Sequence, residues 1–466
     1  MNKPRLLIPI TIQFTLRYVL RTGLMDMIKA YAEPVVILGW EDEGLVGELN
    51  AIGVSVYQNP GKQGGVEYYR ARNMLDLWHY DHMKSPSTRI DRYRNSLLRN
   101  RSQNIRKTIR DLYFRLKTSN LPLLGRAKEN ENNLLHTDTS FPLYYDLVQK
   151  IQPDAMFSIT PYFLEEELIL RAASEQGIPI CGSILSFDNI TTKGWMPITF
   201  DSYCLWNRYN QDELYRIYPQ TLDKPVTIVG APQFDFYYDH NYVWDEAYWR
   251  KIVGLPGDQQ VIFFGSTGRL VAPHEGLWLK HLDDAIENKE IANDPIILFR
   301  RHPNDPMSQW AELMMTCKNV VFDEPWVPGK EVAGKTNISR WDIEKFISTL
   351  YYSCVHINAS STLSVDGAIF DRPQVGPAYD ENKRFDRVVR ELYLREHYLP
   401  ITQSGGLDIA YSRKELVEAV NRAFANPEER KQGRQNMVEE IATYTDGKCT
   451  ERVSSTLADF LKTNVH

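Results

Sequence analysis

Residues 355–380, VHINASSTLSVDGAIFDRPQVGPAYD, predict a strand, a turn, a short helix and a second strand in close succession. The strand covers 354–357, the turn at 358–362 consists of small and hydroxyl residues, and the helix covers about 362–370, where Arg372-Pro373 stops it. A helix that opens on Ser-Ser-Thr directs backbone N–H groups and the positive end of its dipole at whatever lies in front of it. The segment therefore predicts either an ordinary N-capped helix in an α/β domain or an anion site, for which phosphate is the usual occupant.

The same alternation of apolar strands and helical patterns extends from this segment through most of the 466 residues. Unbroken apolar strands separated by helices indicate parallel sheets covered on both faces, and the chain is too long for one compact core. We therefore predict an α/β protein of two doubly wound domains that face each other across a cleft, at residues 1–225 and 226–445, followed by a C-terminal helix at 446–466. The predicted strands are 5–12, 35–40, 54–58, 155–159, 179–185, 202–206, 226–229, 261–265, 296–300, 320–323, 354–357 and 374–376.

The composition is that of an ordinary globular protein, with 43% hydrophobic residues, 24% charged residues and a formal net charge of -6. This charge argues against nucleic-acid binding through bulk charge. The five cysteines form no CxxC pair, which argues against a disulfide scaffold or a zinc knuckle and favours a reducing compartment. No apolar run reaches the roughly 18 residues that span a bilayer, and the first residues are predicted as a buried strand rather than a signal peptide. We expect a cytoplasmic protein.

Residues 84–117 depart from this pattern because they hold 11 basic and 2 acidic residues, a net of +9, which leaves the rest of the chain with -6 minus 9, or -15. Apolar positions at helical spacing predict one or two basic amphipathic helices, inserted into the first domain at about 84–127. Such a surface is either a solvated helical face or a contact for anionic lipid headgroups or a polyanionic substrate. The lipid alternative would bring the protein to the inner face of the membrane. No RNA- or DNA-binding module is recognisable, so we expect no nucleic-acid partner.

Polar clusters follow three strands of the predicted second domain, at the point where each strand ends. Because ligands bind outside the carboxyl ends of parallel strands, the clusters should line one crevice. Small residues allow close backbone approach, and arginine and histidine supply positive charge, so the crevice suits a diphosphate. The residues predicted to bind it are Ser266, Thr267, Arg301, His302, Ser360, Ser361 and Thr362.

Asp366 lies one turn into the helix that follows Ser-Ser-Thr. A carboxylate at this position either accepts hydrogen bonds from a ribose diol or only complements the helix dipole. Arg300 is expected to close its strand structurally. The chain shows no acidic pair with metal-ligand spacing, and a cationic crevice stabilises a departing diphosphate without a metal, so we expect no metal site.

RRHPND at 300–305 after an apolar strand, together with the hydroxyl-rich turn and a short helix with an Asp-x-Pro stop, resembles the nucleotide-binding half of a GT-B glycosyltransferase. Capsule, lipopolysaccharide and teichoic-acid enzymes and the UDP-N-acetylglucosamine 2-epimerase superfamily are similar. VTIVGAPQFDFY at 226–237 resembles their interdomain motif, and SFDNITTKG at 186–194 resembles a loop of surface-polysaccharide members. SRKELVEAVNRAFANPEERKQGRQNMVEEI at 412–441 resembles their C-terminal helical region, so the likeness covers about 150–445.

The resemblance implies two Rossmann-like domains and a metal-independent glycosyltransferase that uses no cofactor beyond its nucleotide-sugar substrate. The acceptor would be a surface polysaccharide or a glycolipid. The resemblance also makes Arg301 and His302 phosphate ligands and assigns the diphosphate to the hydroxyls and amides of residues 360–362. It places Asp366 where the superfamily commonly has a glutamate for the ribose, and the shorter side chain reduces the reach.

Glycosyl transfer also needs a base for the acceptor hydroxyl. The leading candidate is Asp188, which follows the strand predicted at 179–185, although an Asx-turn or helix cap is an equally ordinary role for it. His136 and His274 are the alternatives. After the first strand, Gln13 and Arg17 are predicted to contact the acceptor.

Other functions fit the same pattern. A sugar-nucleotide 2-epimerase would share the scaffold, but it would need several cleft carboxylates for elimination and re-addition and would have no use for a basic insertion. A CDP-glycerol-type glycerophosphotransferase and a non-catalytic sugar-nucleotide-binding protein are the remaining alternatives.

Overall fold

The computed structural model describes residues 3–62, 64–303, 305–325 and 336–465, which divide into two compact units. The first unit comprises Met1–Arg89, Leu98–Pro232 and Cys449–His466, and the second comprises Ile90–Leu97 and Gln233–Lys448. Each unit contains one parallel sheet with helices around it, so the predicted α/β class with two Rossmann-like domains is confirmed.

The sheet of the first unit has seven parallel strands: β1 Arg5–Ile10, β2 Glu33–Leu38, β3 Ser55–Gln58, β4 Ala155–Ser158, β5 Ile180–Ser183, β6 Ser202–Leu205 and β7 Val226–Ile228. Their spatial order is β3-β2-β1-β4-β5-β6-β7, so the order reverses between β1 and β4. Alternate residues of β1 face two different cores, with Leu6 and Ile8 in one and Leu7 in the other. Burial on both faces explains why these strands are unbroken apolar runs in the sequence.

The helices of the first unit include three in the basic segment and its continuation, and one at the C-terminal end. The helices are Gln13–Leu16, Leu24–Lys29, Glu43–Ala51, Val66–Met83, Pro86–Leu97 (shared with the second unit), Arg101–Lys117, Leu121–Thr137, Phe141–Ile151, Leu164–Glu175, Asn189–Thr192, Arg208–Ile217 and Cys449–Asn464. A π-turn lies at Arg17–Arg21 and a 3₁₀ turn at Pro219–Thr221.

The sheet of the second unit has six parallel strands: β8 Val261–Gly265, β9 Ile296–Arg300, β10 Val320–Asp323, β11 Val355–Ile357, β12 Gln374–Pro377 and β13 Leu407–Ala410. Their order, β10-β9-β8-β11-β12-β13, reverses between β8 and β11. Both sheets therefore follow the doubly wound Rossmann order, in which ligands bind at the reversal, the topological switch point. The helices are Glu246–Val253, Gly276–Glu287, Ala311–Thr316, Arg340–Tyr352, Leu363–Ile369, Lys383–Leu392, Leu399–Gln403, Arg413–Ala425 and Lys431–Ala442, with 3₁₀ turns at Pro232–Tyr238, His240–Tyr242, Met307–Trp310 and Glu396–Tyr398.

The domain boundaries differ from those predicted at 225 and 446. Strand β7 pairs with β6, so the first unit continues to Pro232. The C-terminal helix returns to the first unit because its apolar face, which includes Val453 and Leu457, joins the core that holds Leu6. Within the basic segment, Ile90–Leu97 belongs to the second unit. Backbone pairing and apolar burial set these boundaries, and neither follows from glycines and prolines along the chain.

Two other differences are local. The strand Leu407–Ala410 was not predicted, because its short sequence Leu-Asp-Ile-Ala carries a polar residue. The helical pattern of residues 15–31 predicts one continuous helix, whereas the structure has a short helix, a π-turn and a second helix. The second helix starts after Gly23, whose φ of 81° only glycine adopts readily. None of the helices in the described ranges is long and apolar enough to cross a membrane.

Candidate functional site

The switch point of the second unit is closed by a threonine hydroxyl. Thr267, which follows β8, donates from Oγ1 to the carbonyl oxygen of Ala359 at 2.9 Å and accepts from the Ala359 backbone N–H at 3.1 Å. Ala359 follows β11, so these two bonds join the loops on either side of the reversal. The predicted neighbourhood of the Ser266-Thr267 cluster and the hydroxyl-rich turn is therefore present in the structure.

Two glycines allow the loops to approach this closely. Gly265 ends β8 directly against Leu363, because an added Cβ would lie 2.3 Å from Leu363 Cδ1. Gly268 has a φ of 93°, and a Cβ there would lie 3.1 Å from Cγ of His302. His302 follows β9, so three strand ends meet at this point. The His302 side chain is largely buried, and this burial lowers its pKa, which favours a neutral ring that binds by hydrogen bonding.

Glu275 fixes the loop after β8 through three hydrogen bonds. Its carboxylate accepts from the Ser266 hydroxyl, from the Thr267 N–H at 2.9 Å and from the Gly268 N–H at 3.2 Å. Burial raises the pKa of Glu275 from 4.5 to about 7, against the opposing effect of these hydrogen bonds. Nothing in a spacing of nine residues along the sequence signals the contact between Ser266 and Glu275. The Ser266 hydroxyl is therefore already hydrogen-bonded within the second unit.

Arg301 is a structural brace in this arrangement, whereas the sequence predicted a phosphate ligand. Nε and Nη2 donate to one oxygen of Glu324 at 3.1 and 2.8 Å, and Nη1 donates to the Asp305 carbonyl at 2.6 Å. The Arg301 side chain is only 3% exposed. Glu324, which follows the neighbouring strand β10, thus pairs with the positive charge of Arg301. The prediction of a phosphate ligand depended on that charge. Arg300 is buried as expected, with its guanidinium 4.9 Å from the ring of Phe346.

The hydroxyl-rich turn separates into buried and accessible parts. Ser360 has a φ of 50° and is buried, and its hydroxyl donates to the carbonyl of Leu392 at 3.0 Å. Ser361 and Thr362 remain partly exposed. The Leu363 N–H points to the Ser361 hydroxyl at 3.3 Å, at the start of the short helix Leu363–Ile369. Ser361 and Thr362 are consequently the hydroxyls of this turn that a ligand can reach.

Asp366 is enclosed, with 6% of the residue exposed. One carboxylate oxygen accepts from the hydroxyl of Tyr237 at 2.8 Å. Tyr237 packs against Phe370, with ring centroids 5.4 Å apart. The sequence analysis recognised residues 226–237 as a motif, but the tyrosine's partner lies 129 residues away and could not be identified.

His274 forms a histidine–carboxylate pair with Asp380. Nδ1 of His274 lies 2.8 Å from an Asp380 oxygen, and the ring packs edge-on against Phe385 with centroids 4.6 Å apart. The Asn382 N–H donates to the other Asp380 oxygen at 2.8 Å. The side chain of His274 is 43% exposed, whereas that of Asp380 is 4% exposed. An oriented imidazole with a basic Nε2 is the arrangement that general-base catalysis needs.

The switch point of the first unit has a similar plan and is sealed. The hydroxyls of Thr11, after β1, and Thr160, after β4, lie 3.4 Å apart. Glu166 accepts from Ser158 and Thr160, and burial raises the pKa of Glu166 from 4.5 to about 7. All four residues are 0% exposed, so a ligand cannot reach their side chains without rearrangement.

The two residues predicted to contact the acceptor lie beside this sealed centre. Gln13 is buried in the helix Gln13–Leu16. Arg17 begins the π-turn, and its guanidinium lies 5.8 Å from the centroid of the Phe14 ring. Among the described residues, the buried Arg17 Nε has no hydrogen-bond partner. Single π-turns occur frequently at functional sites.

The remaining base candidates occupy ordinary structural positions. Asp188 precedes the helix Asn189–Thr192 and accepts from the Thr192 hydroxyl at 3.2 Å, which is the local turn role that the sequence analysis left open. His136 lies 3.4 Å from Glu175, at the C-terminal end of the helix Leu164–Glu175. That helix runs from the carboxyl end of β4 back to the start of β5, so His136 lies at the edge of the sheet opposite the switch point.

In the part of the chain that the structure describes, no group of three or more His, Cys, Asp or Glu side chains is arranged to hold a metal ion. The partly exposed polar side chains around the second switch point include the hydroxyls of Thr267, Ser361 and Thr362 and the ring of His302. Such groups bind oxyanions through hydrogen bonds.

No protein-family model matches the chain, and no curated protein matches it at the sequence level. Solved structures match the whole chain in fold. The S. aureus MnaA–UDP complex aligns with a TM-score of 0.56 at 10% identity, covering 99% of this chain and 97% of its own. UDP-GlcNAc 2-epimerase from Neisseria meningitidis bound to UDP-GlcNAc aligns at 0.51 with 11% identity, covering 98% and 100%.

A glycosyltransferase from Rickettsia africae aligns with a TM-score of 0.51 at 11% identity, covering 99% of this chain and 100% of its own. Identities this low establish the fold alone. The chain therefore has the fold of GT-B glycosyltransferases and UDP-GlcNAc 2-epimerases, with two Rossmann-like domains.

Proposed function

We propose that the protein is a nucleotide-sugar-dependent glycosyltransferase whose second unit binds the donor. The observation that carries this proposal is the meeting of three strand ends at the second switch point, where Thr267 bridges to Ala359 and Ser361 and Thr362 stay accessible. Partly exposed hydroxyls and amides beside a tight glycine loop are suited to a diphosphate. The fold neighbours that are bound to UDP or UDP-GlcNAc support the nucleotide-sugar class.

Within this proposal, Thr362, Ser361 and Thr267 contact the phosphates, and His302 donates or accepts one hydrogen bond. Arg301 acts indirectly, because its pairing with Glu324 and the Asp305 carbonyl fixes the loop that carries His302. Asp366, which accepts from the Tyr237 hydroxyl, is the residue we propose for the ribose contact. Stabilisation of the departing diphosphate is the largest electrostatic requirement of the reaction.

His274 is the residue we propose as the base for the acceptor hydroxyl. Asp380 accepts from Nδ1–H, which fixes the ring and leaves Nε2 to take a proton. The acceptor is a glycan or glycolipid, and Arg17 is the residue we propose for contact with it. Gln13, the other residue predicted for this role, is 0% exposed and would need a rearrangement to reach the acceptor. The unpaired Nε of Arg17 supports an anionic group on that acceptor. Asp188 is the alternative base, although its carboxylate already accepts from Thr192.

A sugar-nucleotide 2-epimerase is the second candidate, and the observation in its favour is the group of 2-epimerases among the fold neighbours. Elimination and re-addition require carboxylates that reach the sugar. Glu166, the carboxylate at the first switch point, is enclosed by Ser158 and Thr160. This enclosure is why we favour sugar transfer.

The test is incubation with UDP-, CDP- and GDP-sugars and with CDP-glycerol, followed by chromatography of nucleotides and sugars. Transfer predicts release of a free nucleoside diphosphate that increases with an added glycan or glycolipid acceptor. His274→Asn should lower kcat by roughly a hundredfold or more without changing the KM for the donor. Epimerised sugar nucleotide without an acceptor would establish the second candidate, consumption of CDP-glycerol would indicate a glycerophosphotransferase, and binding without turnover would leave a non-catalytic binding protein.

A further inference from the structure

Exposed apolar side chains are concentrated on one short part of the first unit. Of the 17 large apolar residues exposed among the described residues, seven lie between residues 98 and 121. Four of them are at least half exposed on the helix Arg101–Lys117, at spacings of four, three and four residues. This spacing aligns them in one row along the helix. We refer to these four residues as the apolar stripe: Ile105, Ile109, Leu112 and Leu116.

The stripe faces away from the protein because the opposite side of the helix is anchored. Phe114 is 3% exposed and packs in a small core with Leu75 and Leu124. Arg115 donates from Nε to Asp81 on a neighbouring helix at 2.8 Å. The helix also begins with a reciprocal cap between Asn100 and Gln103. These contacts therefore hold the helix in place with the apolar stripe facing outward.

Exposed cations border the stripe. Arg101, Arg106 and Lys117 are all exposed on the same helix, and the side chain of Arg110 is 54% exposed. The 84–117 segment carries a net of +9 in a chain whose total is -6. The helix Arg101–Lys117 itself has six basic residues and one acid, and so contributes +5 of this charge.

A groove of about 390 Å³ opens beside the helix, between it and the helices Val66–Met83 and Leu121–Thr137. Three cationic side chains line it, together with apolar groups such as Met74 and Leu123. The cations are Arg70, Lys117 and Arg126. Their position allows an anionic headgroup to bind next to the stripe.

We propose that the helix Arg101–Lys117 docks on an anionic lipid bilayer, with the apolar stripe in the headgroup–acyl boundary and the bordering arginines and lysines on lipid phosphates. A helix with exposed apolar residues on one side and basic residues beside them binds membranes in this way. A second copy of the chain fits less well, because two segments of +9 repel each other. Nucleic acid also fits less well, because it complements the positive charge but leaves the apolar stripe exposed to water. The proposal is independent of the reaction catalysed.

Vesicle flotation tests it. The full-length protein should float with phosphatidylcholine vesicles that contain about 30% phosphatidylglycerol and should remain behind with phosphatidylcholine alone. Ile109→Ser with Leu116→Ser should weaken binding roughly tenfold or more through lost apolar burial. Arg101→Glu with Arg106→Glu should weaken it to a similar degree, and that loss should be strongest at low salt.

Matched controls separate membrane docking by this helix from nonspecific binding to vesicles. Leu222 is 64% exposed, close to Ile109 at 65%, so Leu222→Ser is the apolar control. Lys251→Glu with Lys414→Glu, both exposed, is the charge control. Both controls should bind as the unchanged protein does, and circular dichroism should be the same for all variants. Equal flotation of the stripe variant, absence of flotation at low salt, or a dimer that the stripe variant dissociates in place of vesicle binding would each reject the proposal.

Discussion

The two switch points of this protein share a plan and differ in accessibility. In each unit a threonine hydroxyl lies across the reversal of strand order, and a buried glutamate with a pKa near 7 holds the adjoining hydroxyl groups. In the first unit the threonine, Thr11, and the glutamate, Glu166, are 0% exposed. In the second unit Thr267 is partly exposed, as are Ser361 and Thr362.

The difference arises from what each glutamate binds. Glu166 accepts from two side-chain hydroxyls, and these converge on it and close the space between the loops. Glu275 accepts mainly from backbone N–H groups, and this fixes the loop while leaving the Thr267 side chain at the surface. The same fold thus gives one sealed centre and one that can bind a ligand. Accessibility, and not the strand order, is what favours the second unit as the nucleotide site.

The largest expected effect follows from placing a negative charge in a half-buried loop that follows a strand in each unit. Thr362→Glu should weaken binding of the best nucleoside diphosphate among UDP, CDP and GDP by roughly a thousandfold, because like charges in contact cost several kcal/mol. Ser186→Glu is the control, since Ser186 is similarly half-buried and follows β5 of the first unit. Isothermal titration calorimetry measures both. An equal loss in the two variants, or none in Thr362→Glu, would remove the distinction between the units.

A second effect should be common to both units. The folded chain keeps protons on Glu166 and Glu275 up to about pH 7, whereas the unfolded chain releases them near 4.5. The stability contributed by these groups is therefore fully present below pH 4.5 and falls as the pH rises to 7. The expected fall is about 3 kcal/mol for each carboxyl.

Urea unfolding at about pH 5 and about pH 8 measures this dependence. Glu166→Gln and Glu275→Gln should each reduce the fall in unfolding free energy, and the double variant should reduce it further. If one variant keeps the full pH dependence, the two carboxyls are not equivalent. The two switch points then share their geometry but not the protonation behaviour of their glutamates.

The smallest effect concerns the bridging threonines. Thr267→Val removes a hydroxyl that satisfies both the N–H and the carbonyl of the buried Ala359, and it should lower the unfolding free energy by roughly 1–3 kcal/mol. Thr11→Val should cost less than Thr267→Val, because Ser158 and Thr160 keep their bonds to Glu166 when the contacts of Thr11 with Thr160 and Glu166 are lost. Thermal unfolding of the two isosteric variants checks the order. A larger cost for Thr11→Val would show that the sealed centre depends on its threonine more than the open one does.

The fold was predictable because it depends on local pattern. Strands β8, β9 and β10 have the predicted bounds, since unbroken apolar runs between helices have few alternatives in a parallel sheet. The site was predictable only in outline. The hydroxyl-rich turn and Thr267 do meet, because both follow strands that flank the reversal. Arg301 was predicted as a phosphate ligand from its position after β9, and its pairing with Glu324, 23 residues away, could not be predicted.

By itself the sequence determined the α/β class, the presence of two parallel sheets, the loops that follow their strands and the presence of one or two basic amphipathic helices within about 84–127. These features depend on residue periodicity and on charge along the chain. Only the tertiary structure decided which polar groups bind each other. It enclosed Ser360 and Asp366, assigned Glu275 to the loop after β8, paired His274 with Asp380, and left Ser361 and Thr362 accessible. Hydrogen bonds between distant segments depend on three-dimensional proximity, and no pattern along the chain encodes it.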